Sequence, residues 1–343
     1  MTGIKDLVRK NILELVPYSS ARDEYTGKDA ILMDANESPY NRPFNRYPDP
    51  RQGELREKLG TMLHISPENL FLGNGSDEAI DLLIRVFCNP GSDRIIIQDP
   101  SYGMYKVCAD VNDVAVDFTE LDPEFSLNAE RLLGLVKPGT KMVFLCSPNN
   151  PTSNLLEKSE IEKVLKSFSG IVVVDEAYID FAGDVGLIPL LETYPKLVIL
   201  RTLSKAWGAA GIRLGMALAD PQLIRFMNMV KYPYNVNLLT QEKAMELLSN
   251  EEHKQEWVEM ILSERNRLKN ELEALEIIKL IHPSDANFLL VQVDDPDGLY
   301  DHLAKGGVIV RNRSRMTHCN GCLRISIGTS DENDQLIDLM KKY

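Results

Sequence analysis

The sequence predicts an α/β fold: a mostly parallel sheet with helices on both faces, followed by a smaller α+β domain. Three observations carry this. Several segments are unbroken apolar runs rich in β-branched residues, "RIIIQDP", "KMVFLCSP", "IVVVDEAYIDF" and "LVILRTLS". Strands of that kind are buried on both faces. These runs alternate with helical segments in the order βαβαβ, which calls for helices on both sides of one sheet. After Pro221 the pattern changes to a long Glu- and Lys-rich helical region and then short strands with two helices.

Taken in order, a first helix is expected over Ile4 to Leu15, stopped by Pro17, and then a Pro- and Asn-rich loop or extended arm, "DANESPYNRPFNRYPDP". A helix, "GELREKLGTML", begins at Gln52. "NLFLGNGSDEAIDLLIRVF" reads as strand, turn and helix, and "RIIIQDP" as a strand before the helix "YGMYKVCADV". "VAVDFTEL" and "KMVFLCSP" are strands, followed by the helices "NAERLLGLV" and "EKSEIEKVLKSF". "IVVVDEAYIDF" and "LVILRTLS" flank "GLIPLLETY", and "IRLGMALA" is a further strand. A long helix is expected from about Leu239 to Leu275, then the strands "ANFLLVQV", "GVIVRNRS" and "CLRISIG" with the helices "GLYDHLAKG" and "DENDQLIDLMKKY". The domains then run as an N-terminal arm packing with the small domain (1–45), a large domain (46–255) and a small C-terminal domain (256–343).

Composition narrows the function. A net charge of −13 over 343 residues repels nucleic acid, so no nucleic-acid partner is expected. No apolar run is long enough to span a membrane, and the N-terminus lacks the apolar core of a signal peptide. The five cysteines, an odd number, fit a reducing cytoplasm better than a disulfide framework. Cys319-x-x-Cys322 has no second ligand pair and reads as a turn before a strand, so no metal site is expected.

In open α/β sheets ligands bind beyond the carboxyl ends of the strands, and here each strand ends in polar groups. Gly73-x-Gly75 lacks the third glycine of a dinucleotide fingerprint, because position 78 is Glu. It remains either a tight turn with a capping Ser or Asp, or a phosphate seat in which Ser76 and Asp77 open a helix. Asp175 ends an apolar strand; it either caps a turn or, buried, holds a protonated ring nitrogen. Tyr102 is a half-buried aromatic or a stacking platform, and Asn150 an Asx turn or an amide donor.

Lys205 is the sharpest case. In "LVILRTLSKAWGAAGIRLG" it stands where an apolar strand runs into a glycine-rich turn, with Arg213 nearby. Desolvation and a neighbouring cation both lower an ammonium's proton affinity and free its amine as a nucleophile, which forms Schiff bases with carbonyl compounds. A phosphate seat, an acid for a ring nitrogen, a stacking aromatic and such a lysine together describe pyridoxal 5'-phosphate.

"NGSDEAI", "PSYGMY", "SPNNPT", "VVVDEAY", "TLSKAWGAAGIRLG" and "CLRISIG", in this order and with thirty residues from Asp175 to Lys205, resemble the fold-type I aminotransferases over essentially the whole chain. "VPYSSARDEY", "DANESPY", "RYPDP" and "SDANFLLV" are similar to the narrower family acting on histidinol phosphate. Related aminotransferases and a threonine-phosphate decarboxylase share most of these motifs.

The resemblance implies roles. Lys205 would hold the cofactor covalently and carry the proton at the substrate's Cα. Asp175 would pair with the ring nitrogen, Tyr178 and Asn150 with the ring oxygen, and Tyr102 would stack on the ring. Ser76, Asp77, Ser204 and Arg213 would seat the phosphate, joined by Tyr47 from the neighbouring subunit of a homodimer. Arg324 would clamp the substrate's carboxylate or phosphate, with Arg311, Tyr18 and Asn36 completing the phosphate or distal-carboxylate site and Tyr234 reaching in from the partner. Arg313 and Arg315 are expected to lie in a solvated basic turn. The family usually reads Asn-Pro-Thr-Gly where this chain has Ser153; if that position uses positive φ, serine costs about 1 kcal/mol. The implied reaction moves an amino group from histidinol phosphate to 2-oxoglutarate. The alternatives are another amino donor, decarboxylation of a phosphorylated amino acid, or a binding protein that reuses the fold without catalysis.

Overall fold

The structure is a computed structural model that describes residues 3–18, 22 and 30–343. Two short helices come first, α1 (Ile4–Leu7) and α2 (Lys10–Leu13). The single helix expected there is broken because Val8 and Arg9 are extended, and the Arg9 N–H donates to Val86 O at 3.0 Å instead of to its own helix. Ile4, Leu7, Val8 and Ile12 pack with Phe87 and Leu223, on the side of the large sheet and not against the C-terminal one.

The large sheet has seven strands: β1 (Leu70–Asn74), β2 (Arg94–Asp99), β3 (Ala115–Glu120), β4 (Thr140–Cys146), β5 (Ile171–Asp175), β6 (Leu197–Thr202) and β7 (Leu214–Ala219). Their order is β1-β7-β6-β5-β4-β2-β3. The four neighbour pairs from β6 to β3 are parallel, and β7 runs antiparallel to both β6 and β1. Within β5, Val172 and Val174 enter one apolar cluster while Ile171 and Val173 enter the other. Both faces are therefore covered, which is why the sequence of this strand is a continuous apolar run.

The helices that cover it are α3 (Gly53–Leu63), α4 (Ser76–Phe87), α5 (Met104–Val111), α6 (Ala129–Leu133), α7 (Lys158–Ser167) and α8 (Pro221–Val230). The long helix expected from Leu239 to Leu275 is two helices, α9 (Leu238–Leu248) and α10 (Glu251–Glu273). Ser249-Asn250 separates them: the Ser249 hydroxyl donates to Glu246 O at 2.6 Å and Asn250 is non-helical at φ −129°. Serine and asparagine compete in this way for backbone partners.

The C-terminal sheet is antiparallel, in the order β10-β11-β9-β8: β8 (Ile278–Ile281), β9 (Phe288–Val293), β10 (Arg311–Asn312) and β11 (Cys322–Ser326). Helices α10, α11 (Pro296–Lys305) and α12 (Ser330–Met340) enclose its core, where Leu268, Leu303 and Leu336 meet Leu289, Val291 and Leu323. The strand expected over "GVIVRNRS" shrinks to two residues, because Asn312 accepts from Ser314 N at 3.0 Å and turns the chain. The Cys319–Cys322 segment is such a turn, with Cys322 N on Cys319 O at 2.9 Å and both thiols free. Among the described residues, no helix is long and apolar enough to cross a membrane.

Candidate active site

The ends of β1, β5 and β6 meet at one cavity of about 310 Å³. Eleven of the residues singled out in the sequence line it: Ser76, Asp77, Tyr102, Asn150, Asp175, Tyr178, Ser204, Lys205, Arg213, Arg311 and Arg324.

The floor is built at Asp175, the last residue of β5, which is buried. One carboxylate oxygen accepts from Tyr105 Oη at 2.7 Å and the other from Ala177 N at 3.0 Å, and no ion pair engages it among the described residues. Burial pushes its carboxyl up to about 6, against these two hydrogen bonds. Tyr105 escaped the sequence reading. Its signal was position: it lies three residues after Tyr102, in the turn that opens α5, where its N–H donates to Tyr102 O at 3.4 Å and the two rings meet edge-on at 5.5 Å. Tyr102 Oη donates to Asp77 Oδ1 at 3.1 Å.

Lys205 follows β6 by three residues, and its Nζ lies 5.4 Å from the centre of the Tyr178 ring. Its proton affinity is lowered by burial first and by the nearby Arg324 cation next; Asp175 works against this, and Arg213 with it. The environment thus raises the share of free amine. Burial likewise pushes the Tyr178 phenol up.

Beside the lysine is a backbone cradle. Gly75 (φ +79°) precedes the first turn of α4, and its N–H donates to Arg213 O at 2.7 Å. A Cβ on Gly75 would sit 2.6 Å from Arg213 Nη2, and one on Gly215 only 2.0 Å from Ser76 N. Both glycines are required by close approach, and they leave the N-terminal N–H groups of α4, the Ser204 hydroxyl and the Arg213 guanidinium converging.

The opposite wall comes from the C-terminal sheet. Arg324 Nη1 donates to Asn150 Oδ1 at 2.5 Å, and Asn150 Nδ2 lies 3.4 Å from Tyr178 Oη. Phe288, also missed in the sequence, packs edge-on to Tyr178 at 5.1 Å and lies 5.3 Å from the Arg324 guanidinium. Arg313 corrects an expectation. It is half-buried and lines the cavity, because its backbone N–H bonds Cys322 O at 2.8 Å and turns its side chain inward; Arg315 is exposed, as read.

Four singled-out residues are not brought to this cavity. Tyr18 is exposed. Asn36 and Tyr47 line a separate hollow of about 740 Å³ with Phe44 and Leu239. Tyr234 stacks on Tyr47, ring centres 4.4 Å apart and planes at 10°.

The donor set fits pyridoxal phosphate. The buried carboxylate forms no ion pair among the described residues, and a protonated ring nitrogen would supply the positive partner, the cradle accepts an anion, and the lysine of lowered proton affinity lines the same cavity.

Comparison with known proteins agrees with this geometry. The family description "Aminotransferase class I and II" matches residues 24–339. The chain is 53% identical to a histidinol-phosphate aminotransferase of Parabacteroides distasonis over 341 residues, 99% of each chain. It is 48% identical to the one of Cytophaga hutchinsonii, again over 99% of each. Among solved structures it is similar to the histidinol-phosphate aminotransferase of Clostridium acetobutylicum, with a TM-score of 0.80 and 26% identity over 87% of this chain and 90% of that one. The enzyme of Sinorhizobium meliloti, solved in complex with pyridoxal-5'-phosphate, shares the fold at a TM-score of 0.79 and 22% identity over 90% of both. A lysine just after β6 that shares a cavity with a carboxylate at the end of β5 and a glycine cradle is accounted for by descent as well as by chemistry: the chain belongs to the class I and II aminotransferases.

Proposed function

We propose that this chain is a pyridoxal-phosphate-dependent transaminase that moves the amino group of L-histidinol phosphate to 2-oxoglutarate, giving imidazole-acetol phosphate and glutamate. One observation carries the reading: a lysine with lowered proton affinity and a buried, unpaired carboxylate share a cavity whose far wall is cationic. The kinship with histidinol-phosphate aminotransferases supports the choice of donor.

When bound, pyridoxal phosphate supplies an electron sink for the donor's Cα–H bond and stores the amino group between the two halves of the reaction. The chain's own groups do the rest. Asp175, held by Tyr105 and Ala177, would pair with the ring nitrogen and keep it protonated. Ser76, Asp77, Ser204 and Arg213 hold the phosphate at the N-terminus of α4. Tyr102 would stack on the ring, and Asn150 with Tyr178, 3.4 Å apart, would hydrogen-bond its oxygen. Lys205 Nζ, whose proton affinity burial and the Arg324 cation lower, takes the proton from the donor's Cα. Arg324 and Arg311 receive the donor's anionic end.

The site is completed by a second copy in a homodimer. Tyr47 and Tyr234 stand stacked outside the cavity of their own chain, which suits residues that serve a partner. Five free, buried cysteines support a place in the cytoplasm.

The test is direct. Purified protein with histidinol phosphate and 2-oxoglutarate is expected to form imidazole-acetol phosphate and glutamate in equal amounts. Formation of carbon dioxide from a phosphorylated amino acid in place of this exchange would assign the chain to decarboxylation, and absence of any turnover would remove the catalytic reading.

A further inference from the structure

Three arginines project from the C-terminal sheet into the cavity, and two account for the binding assigned above. Arg311 and Arg324 are in register across β10 and β11, so like charges stand directly opposite each other. That arrangement is destabilising unless something offsets it. Arg313 follows Arg311 by two residues, just past β10, and its N–H bond to Cys322 O at 2.8 Å keeps it beside β11. It adds a third charge to the same wall. No carboxylate forms an ion pair with any of the three among the described residues; Arg324 bonds Asn150, and Arg313 Nε is shut off from solvent without a hydrogen-bond partner. A buried guanidinium N–H without an acceptor is costly. A site that keeps three such cations together is arranged for a ligand with more than one negative charge.

We propose that Arg313 is a specificity-determining residue, a third anion-binding arginine that favours a phosphate monoester over a carboxylate at this site. The proposal rests on the transaminase reading above and names what distinguishes its two amino donors. A carboxylate offers two oxygens and one charge, which the planar fork of Arg324 satisfies alone. A phosphate monoester near neutral pH offers three terminal oxygens and close to two charges. The extra oxygen and charge are what Arg313, with Arg311 at the rim, has the free donors to meet. Histidinol phosphate thus brings close to two charges and three oxygens to one group that engages all three arginines, whereas glutamate's two charges are split between separate carboxylates, each with one charge and two oxygens, and need Arg313 least.

The experiment follows each half-reaction of the cofactor-loaded enzyme separately with histidinol phosphate, glutamate and unphosphorylated histidinol. Loss of one charge-assisted contact is expected to lower kcat/KM for histidinol phosphate about 10- to 100-fold in Arg313→Gln, chiefly through KM. Glutamate and histidinol are expected to change by less than about threefold. Arg313→Lys, which keeps the charge and loses the fork, is expected to recover part of the loss and serves if the Gln variant folds poorly. Equal losses with histidinol phosphate and glutamate, or none with either, overturn the proposal. Inorganic phosphate, as a competitive inhibitor of the glutamate half-reaction, probes the residue apart from the donor. Its inhibition constant is expected to rise about 10-fold in Arg313→Gln, and an unchanged constant overturns the proposal as well. Wild-type enzyme that turns over glutamate but not histidinol phosphate overturns the donor assignment instead, while the phosphate result still decides on Arg313.

Discussion

Asp175 shows how a single residue trades stability for chemistry. Burial raises its carboxyl to about 6, above the ordinary carboxylate value, so without cofactor the folded protein holds this proton more tightly than the unfolded chain does. The linked contribution is therefore fully present below about pH 4 and is lost as pH rises through about 6. Above that, the carboxylate is a charge buried without a cation, and it costs roughly 1–3 kcal/mol. Asp175→Asn removes the charge and keeps one acceptor, its amide oxygen for Ala177 N, while its NH2 donates to the Tyr105 hydroxyl in place of the bond the carboxylate accepted. The cofactor-free variant is expected to match or exceed the wild type in urea midpoint at pH 8, with the difference shrinking at pH 5, and to bind cofactor more weakly. A cofactor-free variant markedly less stable than wild type at pH 8 would refute this account. At this scale the sequence was legible where the backbone announces the residue. Lys205 and Asp175 both stand at the ends of apolar strand runs, where a charge needs a reason. Arg313 was not, since "VRNRSRM" has the composition of a solvated turn and only the pairing of Arg313 N with Cys322 O aims the side chain inward.

Among the elements, the turn after β4 carries the seam between the two sheets. Ser153 adopts φ +68°, the left-handed region in which the family's usual glycine is at ease. The strain of a side chain there is about 1 kcal/mol. The serine recovers some of this, for its one hydroxyl proton is shared between Thr152 O at 2.5 Å and Pro283 O, in the connection between β8 and β9, at 3.1 Å, and its carbonyl accepts from Asp285 N at 2.8 Å. Two substitutions separate the terms. Ser153→Ala keeps the strain and orphans the Pro283 carbonyl, so a loss of about 1–2 kcal/mol is expected. Ser153→Gly loses the same bond but relieves the strain, and its urea midpoint is expected within about 1 kcal/mol of wild type. An alanine variant as stable as the glycine variant would show that the hydroxyl contributes nothing. Ser153 itself was visible in the sequence as a departure; its partner was not, because the two lie 130 positions apart. The same limit explains the broken helices. Apolar periodicity predicted helix across Val8 and Arg9 and across Ser249 and Asn250, but a hydrogen bond to Val86 and a local serine bond decided otherwise. Continuous strands such as β4 and β6 were read with the right type and nearly the right ends, since burial on both faces leaves an unmistakable composition, whereas the run expected to continue to Phe181 stops as strand at Asp175, the end of β5.

At the scale of the molecule, the feature to explain is that four residues expected at the site lie away from it. Glu37, almost fully covered, binds the Arg22 and Arg46 guanidiniums and accepts from Tyr47 N, each at 2.6 Å. The arm is thus built to hold Tyr47 in place, yet the ring is half-exposed and stacked on Tyr234, with Tyr40, Phe44, Tyr232 and Leu239 also exposed. A rigidly presented ring beside exposed apolar side chains is the expected form of a surface that meets its own copy about a two-fold axis. If Tyr47 serves the partner's phosphate cradle, each catalytic unit draws Lys205 from one chain and Tyr47 from the other, and complementation follows from the symmetry. Homodimers of Lys205→Ala lack the amine. Homodimers of Tyr47→Ala bind cofactor weakly and are inactive when it is limiting. A heterodimer of the two carries one unit with both defects and one with neither. Unfolding and refolding the variants together in equal amounts makes half the dimers mixed, so about a quarter of the wild-type activity is expected at limiting cofactor. No recovery in a mixture shown to contain heterodimers would place Tyr47 in the service of its own chain.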